Sequence, residues 1–392
     1  MKSISKLAAV VALSLSASVF AAPVANQKNS RNMKPSGNCS PKPPTSCECP
    51  CYPDCALPCD FPIAYNKNAR IDTDPCGLDL FMDASFIYWN VSQDNMDIGR
   101  TAVAPDAAAP DASIPTQDFD YKPGFKIGGG LSSTYDNWQV EAVYTWLHQK
   151  NDYHTGSSVA SFVGGDPTIL TNDWFVHLTS AGHEPVAAMN SHWTMNMDLV
   201  DVLLSRPFYQ GQRLTITPYT GLSALFMRQK FHINAIFPTG VTTQVAMSHN
   251  RSRFWSVGPS LGADFHWLIG AGFRVELDAG ASILYARYTK VKHTETFDAA
   301  AVQSTGPING HMPVTGTLRA LNTLGLGFGW GSYFWGNDFH LDLIATYDFK
   351  MLWNQNMMRQ LVGALADNFG GRAEPIGNLY LHGLTFTARF DY

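Results

Sequence analysis

The chain has 392 residues with 27 Lys and Arg against 32 Asp and Glu, a formal net charge of -5, and only 15% charged residues. A mildly acidic balance of this kind argues against nucleic acid as a partner, and the length allows one large domain or two. A charged share below the usual quarter or so, with 12% aromatics and a mean hydropathy near neutral, fits a chain with one lipid-facing half and one wet half.

The first segment reads as a secretory signal. Lys2 and Lys6 precede an apolar run from Leu7 to Phe20, and Val19-Phe-Ala21 offers small residues for cleavage after Ala21 or Ala22. Residues 1–21 are therefore expected to be a signal peptide. No cysteine follows directly, so no lipid anchor is expected, and no later apolar run approaches the roughly twenty residues of a spanning helix.

Residues 22–77 form a different material, rich in Pro, Asn, Lys and Cys and without periodicity, expected to be loop or disordered in the periplasm. All seven cysteines lie here: Cys39, Cys47, Cys49, Cys51, Cys55, Cys59 and Cys76. Pro50, Pro53 and Pro58 interrupt them and paired Cys-x-x-Cys spacing is missing, so no metal site is expected. In an exported protein disulfides are the default. An odd count leaves at least one thiol free or bonded to another chain.

Residues 78–392 carry long runs with a period of two, the mark of strands with one apolar face. The first holds Leu78, Leu80, Met82, Ala84, Phe86 and Tyr88 on one parity and Asp79 and Asp83 on the other. A loop of about 92–122 follows. Phe125, Ile127 and Leu131 mark the second strand, and Trp138, Val140, Ala142, Tyr144 and Trp146, opposite Glu141, mark the third. After a loop of about 149–190, the fourth strand spans His192 to Phe208. Its parity is blurred by Leu199, Val200, Val202, Leu203 and Leu204, through a bulge or an apolar interior patch. The fifth runs from Leu214 to Arg228, with Phe231 to Met247 read as a hairpin projecting beyond it, in an external connection of about 229–250.

Strands six and seven alternate best. Trp255, Val257, Leu261, Ala263, Phe265 and Trp267 share one face, then Phe273, Val275, Leu277, Ala279, Ala281, Ile283 and Tyr285 do, joined by a glycine turn at 269–272. Both runs exceed the five or six residues of an ordinary strand and suit a tilted crossing of a bilayer. A loop of about 289–312 leads to the eighth strand, Val314 to Trp330, whose Gly325-x-Gly-x-Gly-x-Gly331 lacks nucleotide-binding spacing and gives a smooth inward stripe. The ninth carries Phe339, Leu341, Leu343, Ala345, Tyr347 and Phe349. In the connection 354–378, residues 356–367 have helical spacing, as a helix on the barrel rim or as a plug in the lumen. The last strand, Leu379 to Tyr392, ends on an aromatic, as the terminal strand of bacterial outer-membrane barrels does.

Long loops follow the odd strands and short turns the even ones, the asymmetry of an outer-membrane barrel rather than of a soluble sandwich. The expected fold is all-β: a transmembrane antiparallel up-and-down barrel of about ten strands, or twelve if a segment such as Thr171–Ser180 hides more. The inward parity then offers pore-lining candidates: Asp79, Asp83, Glu141, Arg274, Glu276, Asp278, His340, Asp342, Asp348, Lys350, Arg389 and Asp391. His266 also faces the wet side. The acidic excess predicts a weak cation preference. Charges that pair across so narrow a barrel would instead fill it. No nucleophile motif and no His-x-x-x-His helix is present, so neither an enzyme nor a cofactor is expected.

Five short motifs, Pro123-Gly-Phe-Lys-Ile-Gly128, Asp136-Asn-Trp138, Tyr144-Thr-Trp-Leu-His148, Arg206-Pro-Phe-Tyr209 and Pro218-Tyr-Thr-Gly-Leu222, resemble those of the Legionella-type pore-forming outer-membrane proteins. That family is grouped with the major outer membrane proteins of chlamydia-like bacteria. The resemblance covers roughly Leu78 to Tyr392. It implies an abundant porin passing small hydrophilic solutes and ions, set in outer-membrane lipid, with a homo-oligomer (a trimer) as the expected assembly. It also implies an alternative: a structural or adhesive envelope protein, disulfide-linked to other envelope proteins. The cysteines here lie in the arm and not in the barrel, so no pairing is carried over.

Overall fold

The computed structural model describes residues 78–102, 112–133, 137–154, 169–172, 174–176, 188–210, 213–239, 242–297, 307–335, 338–367 and 376–392. The expected signal peptide, the arm with its cysteines and much of the external loops lie outside the described residues.

Ten long antiparallel strands close into a barrel. They are β1 (Leu78–Gln93), β2 (Tyr121–Ser133), β3 (Gln139–His154), β4 (Ala188–Ser205), β5 (Leu214–Thr239), β6 (Thr242–Gly270), β7 (Phe273–Phe297), β8 (Thr315–Phe334), β9 (Phe339–Leu352) and β10 (Leu379–Asp391). Each pairs with the next, and β10 returns to β1 with Phe386 opposite Phe86. The termini of that seam are tied by paired backbone bonds between Leu80 and Tyr392. Closure leaves no strand edge, as hydrocarbon demands of a spanning sheet. No helix among the described residues is long and apolar enough to cross a membrane.

The alternation read from the sequence is the outward face. Phe273, Leu277 and Ile283 are 54%, 36% and 60% exposed, and Leu261 is 64% exposed, which in lipid is contact with acyl chains. Trp255 and Trp267 mark the two ends of this belt on β6. At the usual strand rise they stand about 40 Å apart along the chain, or about 30 Å along the membrane normal after a tilt of about 40°. The short-turn rim carries the tight turn Gly270-Ala271-Gly272, with φ of 143°, 52° and 82°. In outer-membrane barrels such turns face the periplasm.

Several expected boundaries shift. The projecting hairpin expected within 229–250 is the continuation of β5 and β6, 26 and 29 residues long; residues 240–241 are not described. β3 and β4 likewise run past the expected loop limits to His154 and Ala188, and β7 to Phe297. Beyond the lipid the parity inverts: Phe231, Ile233 and Ala235 are buried inward while Lys230 and Asn234 turn outward. Ile169–Asn172 is a strand, but it pairs with Gly99–Ala102 in a separate three-stranded sheet with Ala112–Ser113. The barrel count thus stays at ten. The blurred parity of β4 has no register shift behind it. Leu199 and Leu203 face inward while Val202 and Leu204 face out, so the interior patch explains it.

Above the belt, His232 of β5 and His249 of β6 sit opposite each other and bond through their Nδ1 atoms. Burial, then His249 and the nearby Arg251, His192 and Lys230, push His232 down to about 4. Burial and Arg251 lower His249 as well. Both rings are neutral at neutral pH.

Two outcomes are expected. Leu261→Arg, a charge on the belt, should cost about 2–4 kcal/mol, read by denaturant unfolding in lipid vesicles. A free imidazole titrates near 6.5, so between that value and about 4 the opened hairpin binds more protons than the closed one. Its stability should therefore fall as pH falls through that window. Pepsin nicking within 229–250 should rise accordingly, and His232→Gln should flatten the dependence.

Candidate pore lumen

The interior divides into two zones. The periplasmic half is polar. Its side chains leave the inward parity of each strand, where the pleat alternates lipid-facing and lumen-facing residues. On β7, Arg274 Nε donates to Glu276 Oε1 at 2.6 Å, and its Nη2 reaches Asp342 Oδ2 of β9 at 2.5 Å. On β10, Arg389 donates from Nε and Nη2 to Asp391 Oδ1 at 2.9 and 2.7 Å. His340 Nδ1 lies 3.2 Å from Asp391 Oδ2. The Arg389 guanidinium also stacks 3.8 Å above the Phe81 ring. Deeper in, Lys126 Nζ bonds Asp348 Oδ2 at 2.8 Å, and Thr346 and Thr385 hydroxyls donate to the same carboxylate.

One wall is kept smooth for these charges. The inward glycines of β8 continue the stripe read from the sequence. A Cβ on Gly329 would stand 2.4 Å from Glu276 Oε1 and 2.9 Å from Arg274 Cζ. Glycine lets that ion pair lie flat on the backbone.

Between the paired charges and the external half lies a cavity of about 220 Å³. Its lining includes the acids Glu141, Asp201, Asp264 and Asp278 and the cations Lys126 and Lys350. Tyr219 crosses it and donates to Asp278 Oδ1 at 3.0 Å. Charges around a space of this size hold water.

The external half is filled, mainly by apolar side chains. Helix α1 (Met357–Asp367) lies inside the barrel and buries Met357, Met358, Leu361 and Val362. They join a cluster with Trp89, Trp193, Met195, Phe231 and the inserted Trp174, Phe175 and Val176. The helix begins on Asn356, whose Oδ1 accepts the Arg359 amide at 3.1 Å. Gln355 donates to Gln229 at 3.1 Å and Gln229 to Gln93 at 2.7 Å, a buried amide chain from the helix start across β5 to β1. Arg359 Nη2 lies 3.9 Å from Asp97 and its guanidinium 5.3 Å above Trp174. A further buried set, His293 bonded to Glu295 at 2.7 Å and to Asn250 at 2.8 Å, meets the inserted segment where Glu295 accepts the Val176 amide. The helix therefore occupies the lumen rather than the rim.

The expected inward candidates are all on the lumen side. Arg274, Glu276, Asp342, Arg389, Asp391 and His340 form the paired layer; Asp348 is paired with Lys126; Glu141, Asp278 and Lys350 line the cavity. Asp79 is buried on the same face, and Gly128 is open to Asp83. Missing from that set were Lys126, Asp201, Tyr219 and Asp264. Parity alone would have found Lys126 and Asp264, which alternate with exposed Phe125, Ile127 and Leu261. Asp201 is masked by the surrounding Leu and Val. No group of three or more metal-ligating side chains is assembled among the described residues.

Asp342→Ala would strand Arg274 with Glu276 alone. Removing one member of a buried pair costs about 3–5 kcal/mol, so the variant should unfold at clearly lower denaturant concentration, whereas Asp152→Ala on the outer surface should change the midpoint little.

The sequence matches, over residues 75–391, the family described as Legionella pneumophila major outer membrane protein precursor. No curated protein matches it. Among solved structures, the outer membrane protease OmpT from Escherichia coli shares 9% identity over 80% of this chain and 96% of its own, with a TM-score of 0.32. A TodX deltaS2S3 mutant monoaromatic hydrocarbon channel shares 8% over 84% and 93%, with a TM-score of 0.28. A Pseudomonas aeruginosa FadL homologue shares 8% over 84% and 93%, with a TM-score of 0.26. Likenesses this distant carry no inference about activity.

Proposed function

The chain belongs to the family of the Legionella pneumophila major outer membrane protein, and from that premise we propose that it is a porin. It resides in the bacterial outer membrane, surrounded by lipid. In this reading it passes small hydrophilic solutes and ions by passive diffusion, with a weak preference for cations, and has no enzymatic activity. The lumen-facing charges named above line the path. The observation that carries the reading is the charged cavity at mid-barrel, where four acids face two lysines. A site built only to fill space would be mainly apolar there, as the packing of Trp, Met and Phe is one layer further out.

Conduction then requires the external plug to shift. Its attachments suit that role: amide bonds, the Arg359–Asp97 contact, apolar packing and two backbone bonds from Gln355 and Asn356 to Gly377, with no strand ladder along α1 among the described residues. A second reading is favoured by the same plug. A lumen closed by Trp89, Trp174, Phe231 and α1 suits a structural or adhesive envelope protein that conducts little and is cross-linked through its cysteine arm.

Planar-bilayer recording separates the two. The porin reading expects discrete conductance steps, a reversal potential of cation-selective sign in a salt gradient, and several-fold larger steps when residues 356–367 are replaced by a short Gly-Ser linker. No current from either protein would remove the porin reading, and an anion-selective reversal potential would remove the selectivity. For the envelope reading, oligomer bands should collapse on reducing gels; bands unaltered by reductant would end the cross-linking idea.

A further inference from the structure

The outer surface just beyond the external aromatic girdle carries a grid of cations that the lumen reading does not use. On three adjacent strands, Lys230, Arg251 and Lys292 stand in one cross-strand row of β5, β6 and β7. Two residues nearer the membrane, Arg228, Arg253 and Lys290 make a second row. All six are exposed. The next row down is Phe226, Trp255 and Arg287, where the grid meets the lipid belt.

Three features set this surface apart from ordinary solvated charge. First, among the described residues none of the six has an acidic side chain within ion-pair distance, although charges elsewhere on the chain are paired. Like charges directly opposite one another on a sheet repel, and here two complete rows are held in that arrangement. Second, a register shift at Arg253/Phe254 puts an extra residue into β7 at Thr289. Past that point the inward parity passes to Val291, His293 and Glu295, so that Lys290 and Lys292 face outward with the arginines. Third, the outward acid on the adjoining strand is already engaged: Asp198 accepts Tyr144 Oη at 2.7 Å. His232 and His249, one row further out, are held neutral by burial and by these cations, so Arg and Lys alone supply the charge at neutral pH.

We propose that this grid binds the phosphate groups of the phosphorylated glycolipid in the outer leaflet, its acyl chains lying on the apolar belt below. The chemistry that fits is multivalent: planar guanidiniums take phosphate oxygens in pairs, and lysines add point charges. The depth fits as well, because headgroups lie where the aromatic girdle ends. The inference depends on the outward face and its place above the belt, not on conduction, so a non-conducting barrel would leave it standing.

The test uses the full-length protein in detergent, titrated with diphosphoryl lipid A and, separately, with dephosphorylated lipid A. Intrinsic tryptophan fluorescence is compared between the wild type and Trp255→Phe, and binding is followed by a direct method. Wild type should bind the diphosphoryl form at least tenfold more tightly, and rising salt should weaken it. The Arg251→Gln/Arg253→Gln variant should lose most of that difference, and a charge-matched control, Lys122→Gln/Arg213→Gln, should keep it. Equal affinity for the two lipids, or a patch variant that binds like wild type, would overturn the proposal. If sodium phosphate at concentrations equal to the lipid displaces it completely, the site is one for soluble phosphate and the lipid assignment fails. Should the patch variant not fold, the wild-type comparison of the two lipids and its salt dependence still decide.

Discussion

A backbone N–H or C=O without a partner in hydrocarbon costs several kcal/mol, and a spanning chain escapes that cost only as a helix or a closed sheet. With no helix suited to cross among the described residues, closure of the sheet governs everything else. The seam between β10 and β1, knotted at Leu80 and Tyr392, is where that requirement is met. It fixes the strand number, the strand number fixes the bore, and a bore of ten strands lies near the size that side chains fill.

The interior answers that narrowness in two different ways. Toward the periplasm, cations and carboxylates lie against the wall in the sets Arg274–Glu276–Asp342, Arg389–Asp391 and Lys126–Asp348, and β8 yields its side chains so that they can. Toward the outside, water is excluded by Trp, Met and Leu, and a helix folded back into the barrel completes the packing. A polar group crossing from one zone to the other would lose its partners, and the amides buried in the apolar zone bond to other buried polar groups or to backbone carbonyls. Gln93, Gln229 and Gln355 form a chain, a directional contact inside packing that is otherwise non-directional.

The outer surface has its own sequence of bands along β5, β6 and β7: an apolar belt, a line of aromatics, two cationic rows, then the histidine pair. Each band matches what a bilayer presents at that depth. The long extensions of β5 and β6 beyond the belt are the framework that carries the last two bands, and a one-residue shift in β7 aligns its lysines with them.

The strands themselves, their outward faces and the short-turn rim were legible in the chain because a period of two is a local property, imposed by the pleat on every residue whether or not its neighbours are known. The same parity marked Arg274, Asp342, Asp348 and Arg389 as facing inward. It faded in β4, where Leu199 and Leu203 face the cavity, and it inverted beyond the lipid, where β5 carries Phe231 and Ile233 inward. Which charges meet was decided only in three dimensions. Arg274 and Asp342 are 68 residues apart and Lys126 and Asp348 are 222 apart, and no local pattern encodes a contact made by closing a sheet. The placement of α1 inside rather than on the rim was likewise a tertiary decision. An amphipathic helix reads the same in either setting, and only the apolar lining supplied by Trp89, Trp193 and Phe231 from separate strands makes the interior the lower-energy place for it.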